Sequence, residues 1–163
     1  MKRSSDPDGS QTKASGRKLW KAVAGYSGKS FGQKLDLKPG FSIAAINPPT
    51  GYRELLRPWP ESLRFCTVQA RPQLIHYFCT DRTRLAKDLP SLRKKMSDET
   101  MLWISWPKKS AGVSTTVTED VVRDLALPLG LVDNKVCAVD ETWSALRLVI
   151  RLIHRRDSSK RAG

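Results

Sequence analysis

The chain has 163 residues, 39% of them hydrophobic, and carries 29 Lys and Arg against 16 Asp and Glu, a formal net charge of +13. That is one domain's worth of chain, enough to bury a real core once the ends are discounted. No apolar run approaches the roughly 20 residues of a membrane helix, so a membrane partner is not expected.

Met1 to Gly16 is rich in Ser, Lys, Asp and Gly and lacks an apolar h-region, so it does not read as a secretory signal. Asp6 and Asp8 also argue against a transit peptide. Cys66, Cys79 and Cys137 are far apart, without C-x-x-C spacing, and each stands in an apolar strand-like run. They read as small buried hydrophobes in a reducing compartment, with the cytoplasm as the expected location. Much of the positive excess is at the ends, in Lys2, Arg3, Lys13, Arg17, Lys18 and Lys21, then Arg151, Arg155, Arg156, Lys160 and Arg161. The expected organisation is a disordered basic tail over 1–18, a single α/β domain over 19–153, and a second disordered basic tail over 154–163. Such tails imply weak, non-specific nucleic-acid contact.

Within the domain, Leu19 to Leu37 suggests a short helix and loop, and Lys38-Pro39-Gly40 a turn. Phe41 to Ile46 reads as the first strand, stopped by Asn47-Pro48-Pro49 because proline cannot continue a ladder. A short helix over Gly51 to Leu56 ends before Pro58, and Leu63 to Val68 is a second strand. Leu74 to Cys79 is a nearly continuous apolar run, the kind buried on both faces of a parallel sheet. Leu85, Leu89, Leu92 and Met96 then form one helical stripe, with Pro90 predicting a kink or two abutting helices. Met101 to Trp106 is the next strand. Thr118 caps a helix with Glu119 and Asp120 in its first turn and Val121, Val122 and Leu125 facing the core. Leu131 to Val139 and Trp143 to Ile153 pair as an antiparallel hairpin across Asp140-Glu141-Thr142. The fold class is therefore a three-layer, Rossmann-like α/β open sheet, mostly parallel, with a C-terminal antiparallel hairpin.

Nucleotide motifs are absent from this pattern. Gly28-Lys29-Ser30 lacks the glycine five residues upstream that a phosphate loop needs, where Val23 stands. Asn47-Pro48-Pro49-Thr50-Gly51 has one glycine, and its prolines remove N–H donors that would cradle phosphate. A carboxylate to grip ribose is missing from Thr67-Val68-Gln69-Ala70. No cofactor is expected on this basis. His76 reads as a hydrogen-bonded core histidine and His154 belongs to the basic end, so no metal site is expected. Ser27, Ser105 and Ser114 lack a nucleophile elbow, neither histidine has an obvious nucleophile beside it, and no residue is assigned as catalytic. Trp103, Trp106 and Trp143 read as core.

Ligands of open α/β sheets lie beyond the carboxyl ends of the strands. Asn47, Lys108 and Lys109 would project there, with Thr118 at a helix start, so a small anionic ligand is the expected occupant. Asp133-Asn134-Lys135 interrupts a strand pattern, as a bulge, a hairpin edge or a set of site polar groups.

Several runs resemble a known family. They are Gly25-Tyr26-Ser27-Gly28, Leu37-Lys38-Pro39-Gly40, Trp103 through Lys109, Thr118-Glu119-Asp120-Val121, and Leu131 through Asp140 followed by Trp143-Ser144. Together they resemble small bacterial proteins grouped as a domain of unknown function, number three thousand and fifty-two. The likeness spans about Gly25 to Arg151 and implies a bacterial cytosolic α/β protein, with no activity or functional residues to transfer. Three readings follow. The first is a non-catalytic binding or regulatory module with its ligand near Asn47, Lys108 and Lys109. The second is a degenerate or unusual methyltransferase-like enzyme using the same cleft, and the third is polyanion binding through the tails.

Overall fold

A computed structural model describes residues 30–155 of the chain. The tail expected over 1–18 and most of that over 154–163 lie outside this range, as do Leu19 to Lys29.

The described chain opens with Ser30 capping a single-turn helix, α1 (Phe31–Lys34), in a reciprocal capping box with Gln33. The first strand, β1 (Ser42–Ile46), leads to a second single-turn helix, α2 (Tyr52–Leu55), and a minimal strand, β2 (Arg64–Phe65). The strand expected over Leu63 to Val68 is thus only two residues long, because Val68–Ala70 turns as a 3₁₀ helix that ends at Arg71 with φ +53°. The fully buried strand β3 (Leu74–Phe78) follows, then α3 (Arg82–Lys94) and β4 (Met101–Pro107). The chain closes with α4 (Glu119–Ala126), β5 (Leu131–Ala138) and β6 (Trp143–Ile150). His154 belongs to a final 3₁₀ turn, Leu152–His154.

α3 runs unbroken through Pro90, so the two abutting helices that proline suggested do not occur. Pro90 and Ala86, whose carbonyl loses its partner, are both exposed, so water satisfies what proline removes. In α4, Val122 and Ala126 are buried, while Val121 and Leu125 are only half-buried.

Among the described residues one sheet holds six strands, in the order β2-β1-β3-β4-β6-β5. The first four are mutually parallel, and β6 runs antiparallel to both β4 and β5. The second strand of the hairpin, not the first, therefore joins the parallel set, which returns β5 to the common direction at the edge. The chain passes from β1 outward to β2 and then back across to β3, so the sheet reverses its winding between β1 and β3.

The layers are unequal. α3 and α4 cover one face, where Leu85, Leu89 and Val122 pack with Ile75, Leu102, Ile104 and Leu146. Each such buried aliphatic side chain contributes about 1.5–3 kcal/mol. Tyr77 donates from Oη to Asp88 at 2.6 Å and Arg84 bonds the same carboxylate at 3.0 Å, latching α3 to β3. The bonds from Tyr77 and Arg84 hold the Asp88 carboxyl below its usual range, while burial, and after it the Asp88 carboxylate, pushes the Tyr77 phenol up. Among the described residues the other face carries α1 and α2, over Ile43, Leu74, Phe78 and Trp103. Trp103 is fully buried and donates from Nε1 to the Leu35 carbonyl at 3.3 Å. Among the described residues, no helix is long and apolar enough to cross a membrane.

Candidate functional site

In an open α/β sheet the ligand crevice lies at the carboxyl ends of the strands, where the winding reverses. Here that edge holds a cleft of about 670 Å³ beside β1 and β2. Its floor includes Ile43 and Ala45, and one wall is the Pro48-Pro49 turn and the start of α2. The far wall is Phe65, Cys66 and Thr67.

Each wall follows from local sequence. Asn47 ends β1 with φ +55°, a left-handed conformation that asparagine tolerates better than most residues. The two prolines then prevent the ladder from continuing, and Gly51, with φ +82°, turns the chain into α2. The far wall is braced by stacking. Arg53 lies 4.1 Å over the Phe65 ring, Trp59 meets the same ring edge-on at 5.2 Å, and Arg57 lies 4.3 Å over Trp59. Trp59 Nε1 donates to the Arg53 carbonyl at 2.8 Å, fixing this wall to α2.

Among the described residues Glu54 is the one carboxylate lining the cleft. It pairs with Arg57 at 3.0 Å, but both side chains are more than half exposed, so water screens the pair and leaves the carboxylate available. As the sequence indicates, β2 ends in Cys66-Thr67 with no acid. The acid enters from α2 instead, a position that no strand-end motif marks.

Beneath the cleft, Tyr52 points from α2 into the sheet. Its hydroxyl is 2.7 Å from His76 Nδ1, and His76 Nε2 is 2.6 Å from Ser105 Oγ. Phe78 stacks on the imidazole at 4.1 Å and Tyr52 meets it edge-on. Burial drives the His76 pKa down to about 3 and pushes that of Tyr52 up, so both are neutral near pH 7. The core-histidine reading holds, but a hydroxyl does stand beside His76, which the sequence did not indicate. His76 pairs in register with Trp103 and Phe78 with Ser105, so the contact crosses one step diagonally. Only a known register reveals it.

The residues expected to form the site are not gathered in one place. Asn47 is exposed at the β1 end, outside the lining of the cleft. Lys108 and Lys109 follow β4 on the same edge, with Lys108 N–H donating to the Thr142 carbonyl at 2.7 Å. Thr118 spends its hydroxyl capping α4 on the Val121 N–H, above Glu119 and Asp120. The loop between Lys109 and Thr118 is tied to the start of α3. Arg82 N–H donates to Thr116 Oγ1 at 2.7 Å, and Thr115 Oγ1 donates to the Thr80 carbonyl at 2.8 Å. Asp133, Asn134 and Lys135 lie within β5 at a register shift, level with the start of β4. Asp133 pairs with Arg123 at 3.0 Å, Asn134 accepts from Arg147 at 2.7 Å, and Lys135 pairs with Asp36 at 3.2 Å.

Among the described residues no group of three or more His, Cys, Asp or Glu is placed to hold a metal ion. All three cysteines are free, and only Cys79 is fully buried, its thiol pushed up to about 12 by desolvation. Cys66 is half-buried and lines the cleft, which departs from the reading of all three as buried hydrophobes.

Sheet order, reversed β6 and strand-end cleft define a Rossmann-like α/β fold. No family model matches the chain, and no curated protein does. Solved structures do match. A possible exported protein from Bordetella parapertussis aligns with a TM-score of 0.53 at 10% identity, over 74% of this chain and 66% of that one. A protein of the NADB-Rossmann superfamily from Streptococcus agalactiae gives 0.50 at 8% identity, over 79% and 70%. The ribosomal protein L11 methylase of Lactobacillus delbrueckii subsp. bulgaricus gives 0.48 at 10%, over 74% and 75%. The chain thus spans about two thirds of the Bordetella protein, and at these identities the likeness is one of fold alone.

Proposed function

We propose that the chain is a methyltransferase-like protein holding a nucleoside-type ligand, of the adenosylmethionine kind, in the cleft beside β1 and β2. The observation that carries this is the cleft itself: about 670 Å³ at the carboxyl ends of β1 and β2, next to the reversal of winding. That volume falls in the range of small-molecule sites. Phe65, Ile43 and the two prolines offer apolar faces for a base, while Glu54 and Thr67 offer polar groups for ribose hydroxyls.

The same chemistry favours a sulfonium nucleoside over a nucleoside diphosphate. Prolines at 48 and 49 withhold two N–H donors, and the Tyr52 N–H is spent on the Pro49 carbonyl. The Glu54 carboxylate can accept from ribose hydroxyls, and the Arg53 guanidinium that shares the lining is engaged over the Phe65 ring. Methyl transfer from a sulfonium requires an in-line nucleophile, so positioning supplies the larger part of the rate. Asn47, Lys108 and Lys109, on the same edge, are assigned to a second, anionic substrate. The resemblance to the domain of unknown function adds no activity to this reading.

The test is a thermal-shift series on the full chain with adenosylmethionine, adenosylhomocysteine, ATP and NAD. The adenosyl compounds should raise the midpoint, by about 2.7 kcal/mol of stability at 100 times the dissociation constant. ATP should not, and Glu54→Gln should weaken adenosylmethionine about tenfold, the loss of one charged hydrogen bond. A shift from ATP that survives in Glu54→Gln, or no shift from either adenosyl compound, overturns the proposal.

A further inference from the structure

The opposite edge of the sheet, where the parallel strands begin, carries a second cleft of about 500 Å³. It lies at the C-terminal end of α3 and takes Arg71 from the turn before β3, Arg93 and Lys94 from α3, and His154 from the final 3₁₀ turn. Asp98 is the single acid among its lining residues. We infer that this cleft is a docking site for the phosphodiester backbone of a nucleic acid, distinct from the strand-end cleft and independent of it.

Placement of the cations carries the inference. Arg71 donates from Nη1 to the Lys94 carbonyl at 3.5 Å, and Arg93 donates from Nε to the Leu129 carbonyl at 3.0 Å. Each guanidinium is thereby held in position by one of its five N–H donors, and the remainder form the planar fork that suits phosphate oxygens. A helix C-terminus by itself repels anions. Here the Arg71 contact covers one of the last carbonyls of α3, and the three cations outweigh the residual dipole.

Chain continuity extends the surface. Leu152 and Ile153, on the same turn as His154, are 77% and 76% exposed, an unusual placement for large aliphatic side chains. Arg151 and Arg155 flank them. A concave cationic groove beside exposed aliphatic groups matches a strand with charged phosphates and apolar base faces. A flat anionic bilayer cannot enter a cleft, so a nucleic acid is the better fit than a lipid surface. Readout of base edges is not implied, since these are backbone contacts.

The experiment is fluorescence anisotropy of the full chain with labelled mixed-sequence RNA and DNA strands of about 20 nucleotides, the length range of single-strand sites. Wild type is compared with Arg71→Gln plus Lys94→Gln. Lys94→Gln alone is included because Arg71 sits in a left-handed turn whose alteration could disturb folding. Lys87→Gln removes the same charge from an exposed position of α3 outside the cleft. The double variant should bind about tenfold more weakly and flatten the logarithmic salt slope by roughly 1.4, two phosphate contacts at about 0.7 each for a single strand. Lys94→Gln should lose about half of that slope, and Lys87→Gln none. Equal losses from Lys87→Gln and Lys94→Gln would overturn the site, because only diffuse charge would then be acting. Retention of full affinity in the double variant, with loss on substituting Arg156, Lys160 and Arg161, would also overturn it. So would binding to phosphatidylserine vesicles with none to either oligonucleotide.

Discussion

His76 Nε2 lies 2.6 Å from Ser105 Oγ, and both side chains are completely buried. In a solvent-lined pocket this pair would read as a base and a nucleophile. Here no substrate reaches either atom, and the pair serves as a polar bridge between β3 and β4. Tyr52 extends the bridge to α2, so the wall of the strand-end cleft is bonded to the centre of the sheet. A neutral imidazole has one donor and one acceptor, which matches two hydroxyl partners without a charge.

Acid should therefore destabilise this protein through His76. The unfolded chain takes up a proton near pH 6.5, while the folded site resists protonation down to about 3. Between those values the unfolded state binds one more proton, so stability falls as pH falls, by about 1.4 kcal/mol per unit. Urea titrations from pH 7 to pH 4 should show this slope in wild type. His76→Phe should lack it, and an identical slope in both proteins would exclude His76 as the source.

Ser105→Ala should cost about 1–3 kcal/mol in the same assay, because it leaves one buried ring nitrogen unpaired. Ser105→Thr keeps the hydroxyl and should recover part of the loss. Equal losses would indicate that packing, not the hydrogen bond, dominates at this position.

Gly32 marks where α1 rests on α2. A Cβ at this position would stand 2.9 Å from the Leu56 carbonyl oxygen, a backbone atom that cannot swing away. Gly→Ala within a helix ordinarily stabilises by about 0.4–1 kcal/mol. Gly32→Ala should instead destabilise by about 1–3 kcal/mol, the usual cost of overpacking. A raised thermal midpoint would show that α1 is free to lift off.

The sheet and its helices were legible in the sequence because each rests on local pattern. The run Leu74 to Cys79 has no polar face, and the leucine stripe from Leu85 to Met96 has helical spacing, so burial follows directly. Non-local facts were not legible. That β6 inserts between β4 and β5 depends on pairing energies spread over the whole hairpin, not on any one residue. Glu54 is unremarkable in a list of residues and becomes notable only when α2 brings it to the lining of the strand-end cleft. Asp133, Asn134 and Lys135 were conspicuous for polarity within a strand, but their partners lie on other elements: Arg123 on α4, Arg147 on β6, and Asp36 after α1. Arg71, in the second cleft, carries no sequence signal beyond its charge.

Asp36 combines two of these non-local effects in one residue. It has φ +65°, a conformation that costs an ordinary side chain about 1–2 kcal/mol and aspartate or asparagine less. Its carboxylate accepts from Arg147, which is only 18% exposed, and from Lys135 at 3.2 Å. Asp36→Ala loses both the turn preference and the partner of a largely buried guanidinium, and should destabilise by about 2–4 kcal/mol. Asp36→Asn keeps the turn preference and one acceptor, so its cost should be about half as large. Asp36→Gly separates the two contributions, since glycine relieves the backbone and supplies no acceptor. It should fall between them in urea unfolding. If Asp36→Gly matched wild type, the relief of the backbone would equal what the ion pairs with Arg147 and Lys135 contribute, and the expected net loss would be refuted.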